Sequence, residues 1–181
     1  MNIFIILGKF VYICKMTNLL VPRNLEGRKE KLKQMNIKLL SQEVIDGDLE
    51  LDESFMYIDA KFVKLKKVYG DVWLRGGQWT EIPEWLKDVE ITGSFNCSLN
   101  KLTLLKNCPH NIEGFFDCSY NKLTSLEGCP ENIGGGFACS GNKLTTLEGS
   151  PENIGGYFWC KDNKIKLELP DYVKLKGKFY N

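Results

Sequence analysis

Four cysteines recur at a fixed interval of 21 residues, namely Cys97, Cys118, Cys139 and Cys160. Thiols at regular spacing could bind zinc or form disulfides. Zinc sites usually bring their ligands in close pairs such as C-x-x-C, and the chain contains no such pair. Neighbouring strands lie about 4.8 Å apart, so disulfides within the column are the alternative. We expect reduced cysteines packed as small apolar side chains, as suits a cytosolic protein.

Residue types suited to catalysis are present but poorly combined. Ser98, Ser119 and Ser140 share one phase of the 21-residue interval, but the only histidine, His110, falls in a turn that we expect on the protein surface, so no base activates a serine. The carboxylates of Asp117 and Asp162 lie two intervals apart without an acid or base partner. We expect no catalytic residues, no metal site and no cofactor.

The spacing of the cysteines extends to other residue types. The same period relates the asparagines Asn100, Asn121, Asn142 and Asn163 and the phenylalanines Phe95, Phe116, Phe137 and Phe158. A fixed period of this length indicates a stacked-repeat solenoid. Counting from Gly47, we predict two rungs of 23 residues and four of 21, followed by a closing strand at 177–181.

Each rung should contain a short strand of about four to five residues. Phe116 and Cys118 are two apart and therefore point to the interior together. Leu123, Leu126 and Ile133 return to the interior after an arc of turns, extended or 3₁₀ segments. The asparagine column should form a buried ladder that satisfies backbone groups of neighbouring rungs.

Glycine doublets recur with the same period, at 134–136 and 155–156. Such glycines could cradle a phosphate, but no helix follows them. We expect them to occupy a bend that needs positive φ.

The residues before the repeats divide into two parts. The stretch 24–46 contains apolar residues near helical spacing, with Asn24 as a plausible N-cap, and predicts a helical cap over the first rung of the solenoid at 47–181. Residues 1–23 form an N-terminal extension. Their apolar stretch Asn2–Cys14 is too short to span a membrane; it is either an extension with little structural role or a short strand or turn packed on the cap.

The repeated text, as in Ile112 to Leu126, resembles the leucine-rich repeat, with Phe116, Cys118, Asn121 and Leu123 at its strand and asparagine positions. The short unit N-K-L-T-S-L-E-G-x-P is similar to the repeats of bacterial and tailed-phage proteins. The resemblance implies a mostly β, curved α/β-type solenoid of six rungs, with parallel strands and a concave face that binds macromolecules. It implies no reaction.

Outward-facing strand positions vary from rung to rung, unlike the interior columns. We predict partner-binding residues among the exposed aromatic and charged side chains of these positions: Trp73, Arg75, Phe115, Asp117, Tyr120, Tyr157, Trp159, Lys161, Asp162 and Tyr180. Exposed aromatics beside charges are typical of interface hot spots. Gly136, Ala138, Ser140 and Gly141 should leave a notch in the middle rung. The alternative for Trp159 and Tyr180 is a C-terminal cap, and for Trp73 with Arg75 a cation–π pair.

The amino-acid composition limits the classes of function that the protein could have. The net charge is +1, with 24 basic and 23 acidic residues, so nothing draws the protein to nucleic acid or to a membrane surface. We expect a non-enzymatic protein-binding module, phage-encoded and cytoplasmic, that acts on a host or viral protein as a monomer or with weak end-to-end self-association. The alternative is a structural component of a virion or a self-associating scaffold. A carbohydrate receptor is a weaker third class.

Overall fold

The computed structural model describes residues 4–7, 10–13, 25–56, 58–74, 77–164 and 166–181. One α-helix precedes most of the strands. In chain order the elements are β1 (Phe4–Leu7), β2 (Phe10–Ile13), α1 (Leu25–Leu40), β3 (Val44–Asp46), β4 (Leu49–Leu51), β5 (Lys67–Tyr69), β6 (Val72–Leu74), β7 (Glu90–Ile91), β8 (Phe95–Asn96), β9 (Asn111–Ile112), β10 (Phe116–Asp117), β11 (Asn132–Ile133), β12 (Phe137–Ala138), β13 (Asn153–Ile154), β14 (Phe158–Trp159), β15 (Lys174–Leu175) and β16 (Phe179–Tyr180). Short 3₁₀ helices occupy Glu53–Phe55, Ala60–Phe62 and Glu84–Asp88.

Two parallel sheets run along the stack. Within the described residues, the even-numbered strands β4 to β16 form sheet A, and the odd-numbered strands β3 to β15 form sheet B. In sheet A, Phe116 pairs with Phe95 on one side and Phe137 on the other. Identical residue types thus lie rung over rung, and the predicted mostly β parallel solenoid of about six turns is confirmed.

The arc of each rung contains more regular structure than the sequence indicates. The Asn-Ile pairs form strands β9, β11 and β13, and the equivalent residues of the other rungs form the remaining strands of sheet B. The strands of sheet A are shorter than predicted, at two residues from β8 onward. Hydrogen bonds continue past their ends, because the Cys97 amide donates to the Asp117 carbonyl at 2.8 Å and the Leu99 amide donates to the Ser119 carbonyl at 3.0 Å.

The core consists of stacked columns. The rings of Phe95 and Phe116 are parallel within 4°, with centroids 5.6 Å apart. Beside them lie the repeated cysteines, which are free thiols, as expected. Burial raises the pKa of Cys97, Cys118 and Cys139 well above the ordinary value of 9.0. These thiols are therefore packed as protonated apolar groups. Cys14 lies outside the described residues.

The asparagine ladder has the predicted form. Asn121 accepts a hydrogen bond at Oδ1 from the Leu102 amide of the preceding rung at 3.0 Å. Its Nδ2 donates to the Cys97 carbonyl of that rung at 2.9 Å and to the Cys118 carbonyl of its own rung at 3.1 Å. Each amide therefore ties two rungs together through backbone groups that face the interior.

The glycine doublets serve a different purpose from the predicted one. None of the glycines at 134–136 and 155–156 has a positive φ. Instead, the backbones of adjacent rungs stack directly, and the Gly135 amide donates to the Gly114 carbonyl at 2.9 Å. A Cβ on Gly135 would lie 2.7 Å from the Gly114 oxygen. The expectation of positive φ is wrong; these positions need glycine because the rungs approach too closely for a side chain.

Helix α1 closes the first rung, as predicted. Leu40 is fully buried in the core, and its carbonyl accepts a hydrogen bond from the Lys64 amide at 2.8 Å. The Asn36 side chain donates to the Ser54 hydroxyl at 2.7 Å. The predicted N-cap, Asn24, lies outside the described residues. Strand β3, which precedes Gly47, already pairs with β5 as the first strand of sheet B.

The N-terminal extension contains strands. β1 and β2 pair with each other antiparallel; packing of this segment on the cap stays a prediction. Of the helices in the described residues, none has both the length and the apolar character needed to cross a bilayer.

Candidate functional site

Sheet A presents one side chain per rung in each outward column. The register places Trp73, Asn96, Asp117, Ala138, Trp159 and Tyr180 in a single column. Trp73 therefore lies four rung spacings, about 19 Å, from Trp159. These two tryptophans belong to separate surfaces. Arg75 lies outside the described residues, so its pairing with Trp73 stays a prediction.

Four aromatic side chains meet on the C-terminal rungs of sheet A. We call them the aromatic cluster: Phe115, Tyr157, Trp159 and Tyr180. Trp159 is at the centre, with ring centroids 5.7 Å from Phe115, 5.4 Å from Tyr157 and 5.7 Å from Tyr180. The rings of Trp159 and Tyr180 are parallel within 8°. Tyr157 remains 47% exposed, so the cluster is accessible from solvent.

The predicted notch in the middle rung is filled. Gly136 and Ala138 point outward by phase but are both buried. A Cβ on Gly136 would lie 2.9 Å from the Phe115 ring, because that ring leans across Gly136 toward Trp159. The notch prediction is therefore wrong: an adjacent aromatic side chain covers the space that the small residues leave.

Tyr120 covers the same rung at its corner. A Cβ on Gly141 would lie 2.5 Å from the Tyr120 ring, so this ring packs on the next rung. Tyr120 is nevertheless 56% exposed. Lys161 and Asp162 follow Trp159 at the same corner and are exposed. By repeat phase these three side chains flank the aromatic cluster, and within the described residues the ring contacts of the cluster do not include Tyr120.

Asp117 has a local structural role. Its Oδ1 accepts a hydrogen bond from the Ser119 amide at 2.9 Å, which closes the turn at the end of β10. Aspartates of the neighbouring outward column also bind backbone amides in the first rungs. The Asp71 amide donates to Asp48 Oδ1 at 2.8 Å. Carboxylates of this outward column therefore bind backbone amides on the N-terminal rungs, from Asp48 to Asp71 and from Asp71 to Ser94.

The described residues offer little for catalysis. In this part of the chain, no three His, Cys, Asp or Glu side chains come together as metal ligands. His110 is exposed and occupies a different phase of the repeat from Ser98, Ser119 and Ser140. Burial raises the pKa of Cys160 to about 12, so this thiol is a poor nucleophile at neutral pH.

No family model, no curated protein and no solved structure matches the chain. The leucine-rich-repeat resemblance therefore stays a prediction.

One exposed residue escaped the sequence analysis. Leu99 is 68% exposed, the highest exposure among the large apolar side chains of the described residues. Leu99 lies two residues after Cys97, just as Tyr120, Gly141 and Asp162 lie two residues after the later cysteines of the column. The four residues therefore share one phase of the repeat. All four residues have left-handed backbone conformations.

Proposed function

We propose that the protein is a non-enzymatic binding module that captures a protein partner through the aromatic cluster on sheet A. The observation that carries this proposal is Trp159, a half-buried indole in contact with Phe115, Tyr157 and Tyr180 on an outward face. Tyr120, Lys161 and Asp162 provide a polar border. This arrangement has the composition of an interface hot spot surrounded by polar contacts.

The rigidity of the cluster supports a binding role. Each aromatic ring offers a large apolar area with few rotatable bonds, so little conformational entropy is lost on association. Mutual packing of the four rings restricts them further before a partner arrives. A preformed surface of this kind retains more of its interaction energy as affinity.

The repeat family and the cellular location are part of the same proposal. We propose that the stack is a leucine-rich repeat of the short bacterial or phage type and that it acts in the cytoplasm, on a host protein if the gene is viral. The reduced core cysteines are consistent with a reducing compartment.

The test compares exposed tyrosines on the two sheets. Tyr157→Ser removes a 47% exposed ring from the cluster, whereas Tyr69→Ser removes a 51% exposed ring from sheet B. Affinity capture from the native cell should lose the partner with Tyr157→Ser and keep it with Tyr69→Ser, at equal thermal stability. Capture that survives Tyr157→Ser combined with Trp159→Ala would refute the proposal. Unfolding of that double variant would identify the rings as a cap.

A second candidate is end-to-end self-association. Strands β15 and β16 each lie at the edge of their sheet, and an unpaired edge is a template for further strands. Sedimentation velocity at several concentrations tests this candidate. A concentration-independent monomer would eliminate it.

A further inference from the structure

The corners that end strands β8, β10, β12 and β14 of sheet A have a left-handed backbone. Leu99, Tyr120 and Asp162 have φ values of 56°, 55° and 56°, and Gly141 has 64° at the same phase. Glycine makes this turn without strain, whereas a leucine or tyrosine in it is strained by its Cβ. Gly141 shows that the fold itself needs no side chain at this corner.

Packing does not explain the apolar residues at the corner. Leu99 is 68% exposed and Tyr120 is 56% exposed. Tyr120 gains some contact by covering Gly141, so the two side chains spread an apolar strip over three adjacent rungs. Strained residues that expose apolar area toward solvent are better explained by a bound partner than by folding.

A line of positive charge runs beside this strip. Lys101, Lys122, Lys143 and Lys164 recur two residues after the corner positions, and all four are exposed. Their backbones stack, because the Lys122 amide donates to the Leu102 carbonyl and the Lys143 amide to the Leu123 carbonyl, each at 2.8 Å. The lysines therefore follow one another at about 4.8 Å. Lys101 donates from Nζ to Gln78 Oε1, and the ion pairs within the described residues involve lysines outside this column.

We infer that Leu99 and Tyr120, together with this lysine column, form a docking strip for an acidic amphipathic α-helix of the protein partner. The inference rests on the proposed function and extends its binding surface around the corner of sheet A. Carboxylates of the helix would face the lysines, and its apolar side chains would cover Leu99 and Tyr120.

Spacing favours a helix over an extended segment. Three steps along the lysine column cover about 14 Å. Three turns of an α-helix cover about 16 Å, so acidic residues spaced three or four apart would stay within reach of flexible lysine side chains. Same-face residues of a strand would cover about 20 Å over three steps and lose register with the column.

The test uses the full chain and a synthetic helical peptide. The peptide carries Glu along one face, at intervals of three and four residues, and Leu on the adjacent face. Calorimetry should show that Lys122→Gln with Lys143→Gln weakens binding at least about tenfold, while Lys174→Gln with Lys176→Gln on sheet B has no effect. Affinity for the unmodified protein should fall with salt. Leu99→Gly should weaken binding without lowering the melting temperature.

Several results would overturn the inference. These are an absence of peptide binding, equal binding of a peptide with Lys in place of Glu, or binding indifferent to both the lysine and the Leu99 variants. A single-stranded oligonucleotide that binds the lysine column more tightly than the peptide would also overturn it. If Tyr157→Ser abolishes partner capture but the double lysine variant does not, the docking strip is wrong and the proposed function stands. If capture survives both the double lysine variant and the combination of Tyr157→Ser with Trp159→Ala, both are wrong.

Discussion

Phe115 and Trp159 lie in rungs separated by a whole intervening rung, yet their ring centroids are only 5.7 Å apart. They meet because Gly136 and Ala138 in that rung leave room for the Phe115 ring to lean across. Small residues in the middle of the sheet thus join two aromatic groups into one surface. Removal of this space is the most direct way to disturb the proposed binding site while leaving its aromatic residues in place.

Gly136→Val should separate the two rings. Its side chain would enter the space that the Phe115 ring occupies, and its Cβ would lie 2.9 Å from the Tyr157 carbonyl oxygen. We expect a loss of about 1–3 kcal/mol in the free energy of unfolding and a weaker near-ultraviolet circular dichroism signal from the aromatic cluster. Ser140→Val in the same rung is the control. An unchanged aromatic signal in Gly136→Val would contradict the described contact.

Asn121→Ala should destabilise the stack by about 1–3 kcal/mol, because it leaves the buried Leu102 amide without a partner. The Cys97 and Cys118 carbonyls each lose one donor but keep a second, from Asn100 and Asn142 respectively. Chemical denaturation measures the loss. A variant as stable as the natural protein would show that the ladder does not stabilise the fold.

Asn121→Asp keeps the hydrogen-bond acceptor of the ladder amide but removes its donor. The carboxylate can still accept from Leu102 but would face two carbonyl oxygens, so the folded state should raise its pKa. Stability should therefore be greatest when the introduced carboxyl is protonated and should fall as the pH rises through its folded pKa. Denaturation between pH 4 and pH 8 checks this sign. Asn121→Ala, which has no titrating group, is the control.

The buried thiols should make the protein sensitive to alkali. Burial raises the pKa of Cys118 above its ordinary 9.0, so unfolding releases a proton once the pH exceeds that value. The protonated Cys118 thiol makes its full contribution to the free energy of unfolding below pH 9. Above pH 9 this contribution falls by up to about 1.4 kcal/mol per pH unit. Cys118→Ala should reduce the change in unfolding free energy between pH 9 and pH 10 by about 1 kcal/mol, because the unfolded thiol is only half ionised at pH 9. An unchanged difference between these two pH values would mean that Cys118 titrates normally.

Leu99→Gly should stabilise the protein. Relief of left-handed strain should stabilise the folded state by about 1–2 kcal/mol. The greater freedom of glycine in the unfolded chain offsets about 0.4–1 kcal/mol of this gain. Tyr120→Gly should stabilise less or not at all, since it also removes the ring that covers Gly141. Thermal unfolding of the two variants measures the difference. A destabilised Leu99→Gly would indicate a packing role for that exposed side chain.

Repetition explains how much of this fold could be predicted. A phenylalanine, cysteine or asparagine that recurs at one phase must stack on its own copies, so the columns of Phe116, Cys118 and Asn121 followed from periodicity alone. Sheet B was hidden because its strands contain only two or three residues, too few to show alternation. The glycine doublets were assigned to the right corner but for the wrong reason, since only coordinates reveal how closely Gly135 approaches Gly114.

The candidate site depended on the tertiary structure to a greater extent. The amino-acid sequence by itself determined that the rungs stack, which side chains face the interior and which aromatic residues face outward, because these properties depend only on phase within a repeat. Only the tertiary structure decided that Phe115 reaches Trp159 over Gly136, and that Leu99 is strained and exposed. Both depend on the space left by neighbouring side chains and on backbone dihedral angles, which a repeat period does not specify.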